Sequence, residues 1–210
     1  MLVGETVSPV QVFNETRKKL PSSRGIKQSF VIKSLALQTQ IMTRNVLAKL
    51  FVEKFMVPQP HAYHYVFKEL HECLIPNGIV EEAGTIKPQR GSRILQSSGI
   101  PYYRLTKLGV LLAMSVDDLT FEERKELLKS YLITTKILNA SEIAFCDQLS
   151  AHLQKYPEAT LEIVKKGARE FINGKIKNPL EIIQDNEQII NKDYQQNFSY
   201  NFEAYFSGTH

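Results

Sequence analysis

The chain has 210 residues, 43% of them hydrophobic and 23% charged, a balance that argues against a disordered or membrane-embedded class and suits two small units with a core each. Its net charge of +4 is unevenly shared, because residues 1–110 hold fifteen Lys and Arg against seven Asp and Glu while residues 111–210 hold eleven against fifteen. The longest apolar run, Val110 to Met114, is far short of the ~20 residues of a bilayer span, and with no signal-peptide pattern at the start a cytoplasmic location is expected.

Residues 1–28 are polar and basic, with Pro9 as a helix start and Pro21 to Gly25 as a break, so an arm or short helix is expected there. From Ser29 to Ile41, Phe30, Val31, Leu35 and Leu37 recur at loose helical spacing and predict a first core helix. Thr43 offers an N-cap for a second helix. Its apolar stripe is Val46, Leu47, Leu50, Phe51 and Phe55, and its other face carries Arg44, Lys49 and Lys54. Val57 to Pro60 reads as a turn, because proline lacks an amide hydrogen and restricts the residue before it.

A third helix is predicted over 61–75, with Ala62, Val66, Leu70 and Leu74 facing inward beside Tyr65 and Cys73. The opposite face shows Tyr63, His64, Phe67, Lys68 and His71, an aromatic and cationic surface that suits nucleic acid. Pro76, Asn77 and Gly78 stop the helix. Strands are expected at Ile79 to Ile86 and Ile100 to Leu105, joined by a polar loop over 87–99. From Ala83 to Val116 there is no Asp or Glu, yet Lys87, Arg90, Arg93, Arg104 and Lys107 fall inside, which points to anion contact. Thr106 can cap a further helix over Leu108 to Met114.

Ile79-Val-Glu-Glu followed by Tyr102-Tyr-Arg-Leu-Thr-Lys-Leu-Gly109 resembles the strand, wing and Tyr-x-Leu-Thr-x-x-Gly run of bacterial and archaeal winged helix-turn-helix transcription regulators, the PadR-like and MarR-like groups among them. The resemblance covers residues 29–116, the expected winged-helix domain. It implies a DNA-binding transcriptional regulator whose helix 61–75 enters the major groove of double-stranded DNA while a basic wing at 87–99 touches the backbone. Tyr63, His64 and Lys68 are then the base contacts, with Phe67, His71 and Arg44 completing the interface. Lys87, Arg90 and Arg93 reach phosphates or a narrow minor groove. The same aromatic face would also serve a winged-helix adaptor that binds another protein.

His61, His64, His71 and Cys73 raise the possibility of a metal-responsive regulator. His64 and His71 stand ~10 Å apart along a helix, too far to share one ion, whereas His61 and His64 at i, i+3 could share one only with ligands from a partner chain or the tail; no ligand set is complete, so no metal or other cofactor is expected. Neither a phosphate-cradling glycine loop nor a Ser, His, Asp arrangement is present, and no enzyme is expected. Cys73 and Cys146 make no disulfide framework and read as buried, reduced thiols.

Residues 117–210 are expected to form an all-helical module. Thr120 and Glu123 make a capping box for a helix through about Ile137. Further helices are expected at Ser141 to Gln154, Glu158 to Ile172 and Pro179 to Ile190. Leu127, Leu128, Tyr131, Leu132, Leu149, Leu153, Leu161, Ile163, Val164 and Phe171 read as core or as the seam of a homodimer. Tyr194 to Phe206 gathers six aromatics, a tail expected to dock on the chain's own helices or on a partner subunit.

Overall fold

The computed structural model describes residues 10, 12, 23–37, 40–87, 99–117, 119–134 and 140–176, and the first element it shows is helix α1, Ser23–Ala36. The helix starts earlier than its apolar pattern suggests, and the residues from Ser23 to Gly25 are helical where a break was expected. Its buried stripe is Gly25, Gln28, Ile32 and Leu35. The first two positions of that stripe are not apolar, so periodicity of hydrophobic residues cannot reveal them.

Helix α2, Arg44–Phe55, begins where Thr43 predicts, with the threonine side chain accepting the Val46 N–H at 3.3 Å. It ends at Met56, whose φ of 54° is left-handed and whose amide donates to the Val52 carbonyl at 2.8 Å. Helix α3, Gln59–Lys68, takes in two residues assigned to the turn. Pro60 is tolerated because an amide in the first turn has no intrahelical acceptor to lose. The helix runs on through a π-helical turn, Glu69–Leu74, closed by the Ile75 amide on the Leu70 carbonyl at 2.9 Å. It stops at Gly78, whose φ of +67° reverses the chain at little cost.

Strands β1, Val80–Ile86, and β2, Ile100–Leu105, form an antiparallel hairpin with Val80 opposite Leu105 and Ile86 opposite Ile100, and the register shifts once between Glu82 and Gly84. A short extra pairing links Thr43 to Tyr102, with the Tyr103 amide on the Met42 carbonyl at 2.9 Å. The cap of α2 is thereby stitched to β2. Helix α4, Lys107–Met114, is capped by Thr106, which accepts the Gly109 N–H at 3.1 Å and donates to the carbonyls of Gly78 and Ile79. A β-carbon at position 109 would lie 2.0 Å from the Ile79 carbonyl oxygen, so only glycine lets α4 sit this close to the start of the hairpin. The Thr and Gly of the Tyr-x-Leu-Thr-x-x-Gly run thus lock α3, hairpin and α4 together.

Helices α5, Phe121–Thr134, α6, Ala140–Lys155, and α7, Pro157–Ile172, follow. The capping box is present, with the Thr120 amide on Glu123 Oε2 at 2.7 Å and the Glu123 amide on Thr120 Oγ1 at 3.2 Å. Arg124 is buried beneath it and donates to the carbonyls of Met114 and Val116, both at 2.8 Å, and of Leu119. One guanidinium therefore satisfies the end of α4 and the loop after it.

The core does not divide at residue 116. A continuous cluster of buried side chains joins Val31 and Phe51 to Leu111 and Met114 and on to Leu128, Leu149, Leu153 and Val164. Among the described residues of the second half, Leu127, Leu128, Tyr131, Leu149, Leu153 and Val164 belong to this cluster, with Leu161 and Phe171 packed partly buried against it. The expected helix over 179–190 and the aromatic tail lie outside the described residues, as does the end of the helix predicted to reach 137. The described part of the protein is mainly helical with one two-stranded hairpin, and no helix in it is long and apolar enough to cross a membrane.

Candidate nucleic-acid interface

Two surfaces of α3 are built very differently. The inward surface carries Glu69, only 2% exposed. Arg24 of α1 pairs with it through Nε to Oε1 at 3.0 Å and Nη2 to Oε2 at 3.3 Å, and Gln28 donates to Oε2 at 2.7 Å. The Gln28 amide also lies 3.4 Å from the Cys73 sulfur. Burial, reinforced by the Glu69 carboxylate, pushes the Cys73 thiol up to about 11 and raises the Tyr65 phenol above its ordinary range. A buried carboxylate survives there because charge and hydrogen bonds both meet it.

The outward surface presents Tyr63 and Phe67, each 39% exposed, one helical turn apart. The Arg44 guanidinium, from the first turn of α2, stands 5.3 Å from the Tyr63 ring centre and 4.6 Å from that of Phe67. Its Nε is buried without a hydrogen-bond partner among the described residues. The ring of His71 lies 4.7 Å from Phe67 and within 3.4 Å of the Tyr103 hydroxyl, which comes from β2. Burial raises the Tyr103 phenol above its ordinary value, with Arg44 acting in the opposite sense. A cation over two ring faces is worth roughly 0.5–2 kcal/mol and fixes the guanidinium direction while leaving its charge unneutralised.

Of the residues singled out in the sequence, Arg44, Tyr63, Phe67 and His71 are brought together in this cluster. His64 and Lys68 are exposed beside it, Lys68 standing 3.9 Å from Glu72 in an exposed pair that contributes little. Lys87 is exposed immediately after β1, whereas Arg90 and Arg93 lie outside the described residues. Arg104, read as an anion contact from its acid-free neighbourhood, instead pairs with Glu81 at 2.6 Å. The acid lies outside that stretch of sequence but directly across the hairpin, and cross-strand neighbours are invisible in a linear count.

Sequence reasoning missed Tyr103, which is fully buried and backs the outer cluster, and it missed the pairing of Thr43 with Tyr102 that sets Arg44 beside α3. An alternating strand pattern marks residue 103 as inward but says nothing of which helix it meets. His61 is exposed while Cys73 is buried with Gln28. Among the described residues no three His, Cys, Asp or Glu side chains gather closely enough to hold a metal ion.

No family model matches the chain, and no curated protein or solved structure matches it either.

Proposed function

We propose that the chain is a winged helix-turn-helix regulator that binds double-stranded DNA, with α3 in the major groove and the hairpin along the adjacent backbone. The observation that carries this reading is the outward cluster of α3, where Arg44 holds its charge over the half-exposed rings of Tyr63 and Phe67. A groove about 12 Å wide admits a helix, and side chains near its N-terminal end reach base edges first. Tyr63 and His64 lie in the N-terminal half of α3, and Lys68, at its C-terminal end, is the third candidate for a base contact. Arg44, at the start of α2, is positioned for a backbone phosphate, as are Lys87 and the sequence cations Arg90 and Arg93. The positive balance of residues 1–110 supports the same partner.

A homodimer would match two-fold DNA half-sites ~34 Å apart. Of the apolar residues considered for its seam, Leu127, Leu128, Tyr131, Leu149, Leu153 and Val164 are packed in the core of the single chain.

Salt dependence tests the main reading. Anisotropy titration of a labelled duplex over a range of salt should give log K falling with a slope near −0.9 per phosphate contact. The exposure of Tyr63 and Phe67 in a chain without a partner also favours the second reading, an adaptor that binds another protein. Weak duplex binding with a flat salt response would select the adaptor.

A further inference from the structure

We propose that the rings of Tyr63 and Phe67 read the 5-methyl groups of thymine, so that the preferred duplex is rich in A·T pairs where α3 lies. This deepens the reading above and rests on it. Phe67 is 39% exposed on the face that would enter the groove, and its ring can neither donate nor accept a hydrogen bond. Apart from the C5–H of cytosine, the groups that a base pair shows in the major groove are donors and acceptors, and thymine alone among the standard DNA bases adds an apolar methyl. A ring pressed against the polar edge of a G·C pair would strip water from groups it cannot satisfy, whereas against a thymine methyl it buries apolar surface on both sides.

The rings are also held for the task. Arg44 stands over both at 5.3 and 4.6 Å, and His71 lies 4.7 Å from Phe67 while its other contact is the buried Tyr103. Phe67 is therefore flanked on two sides and loses little freedom on binding, which makes a small apolar contact count. Charge complementarity selects DNA over an apolar protein groove as the occupant, because Arg44 lies over both rings, Lys68 is exposed next to Phe67 in the chain and Lys87 is exposed after β1.

The test uses the full chain and synthetic duplexes about three helical turns long. One carries alternating dA and dT, a second replaces every dT with deoxyuridine so that only the methyls are lost, and a third alternates dG and 5-methyl-dC beside its unmethylated twin. Loss of the thymine methyls should weaken binding about fourfold for each methyl contacted, and methylation of dC should strengthen it. Phe67→Ala should narrow the gap between the dT and dU duplexes to the contact left to Tyr63, while Phe67→Leu, which keeps an apolar tip, should retain more of the preference. Equal, measurable binding of the dT and dU duplexes by the unsubstituted chain overturns the methyl reading and leaves DNA binding standing. Persistence of the full preference in Phe67→Ala overturns it too. Failure to bind any duplex at low salt overturns the DNA-binding proposal and this inference with it.

Discussion

The inner and outer faces of α3 each receive an arginine from a neighbouring helix, and they use it in opposite ways. Arg24 meets the buried carboxylate of Glu69, with Gln28 completing the contact, so its charge is consumed in holding α1 to α3. Arg44 meets two aromatic rings, which orient a guanidinium without cancelling it. The same residue type is thus a structural tie on one face and a poised cation on the other. What decides between them is the partner that each face of α3 supplies.

The largest expected effect lies where α4 meets the start of the hairpin. Gly109→Ala would force a β-carbon onto the Ile79 carbonyl, and denaturant melts should show a loss of about 3 kcal/mol or more as α4 and the hairpin are pushed apart. If stability is unchanged, the lock between the hairpin and α4 is not as described.

Next in size is the inner arginine. Arg24→Ala strands Glu69, which is almost fully buried, and should destabilise by about 3 kcal/mol in urea unfolding because an uncompensated charge is left inside. Arg44→Ala should separate the faces cleanly. It removes a partly exposed cation, so the melt should shift by no more than about 1 kcal/mol, while the salt slope of duplex binding should fall by about one. Equal stability losses at the two positions would erase the distinction between the arginines.

Smaller effects follow from ionisation. The Cys73 thiol, pushed up to about 11, holds its proton more tightly folded than unfolded. Its contribution is full below about pH 8.5 and is lost as pH rises toward the folded value. A native-state thiol assay at neutral pH should leave Cys73 unmodified, and thermal midpoints measured into the alkaline range should fall less steeply in Cys73→Ala. At the acid end, the Thr120 amide and hydroxyl lower the Glu123 carboxyl below its ordinary value. Its support of α5 is present above about pH 4.3 and disappears as pH falls through that lowered value. An NMR titration of Glu123 should show the displacement, and Thr120→Ala should reduce it.

Much of this architecture could be read from residues whose chemistry acts locally. Thr43, Thr106 and the Thr120–Glu123 box announce helix starts because a side-chain oxygen serves an amide only two or three residues away. Gly78 announced a reversal for the same reason. The outer residues of α3 were legible as a face because helical spacing alone places them together. What escaped depends on partners distant in sequence. The early start of α1 hinges on buried Gln28 and the far-off Glu69, and the pairing of Arg104 depends on hairpin register. The π-helical turn of α3 and the burial of Arg124 against three carbonyls have no local signature at all. Arg124 in particular looks like one more surface charge of an amphipathic helix until α4 is placed beside it.

The central claim is that the outer face of α3 meets DNA through a cation held by rings, and charge reversal at Arg44 tests it most directly. Duplex affinity of Arg44→Glu, measured by anisotropy at fixed salt alongside its thermal midpoint, should fall by about tenfold or more while the fold persists. Undiminished affinity in a folded Arg44→Glu chain would contradict the account.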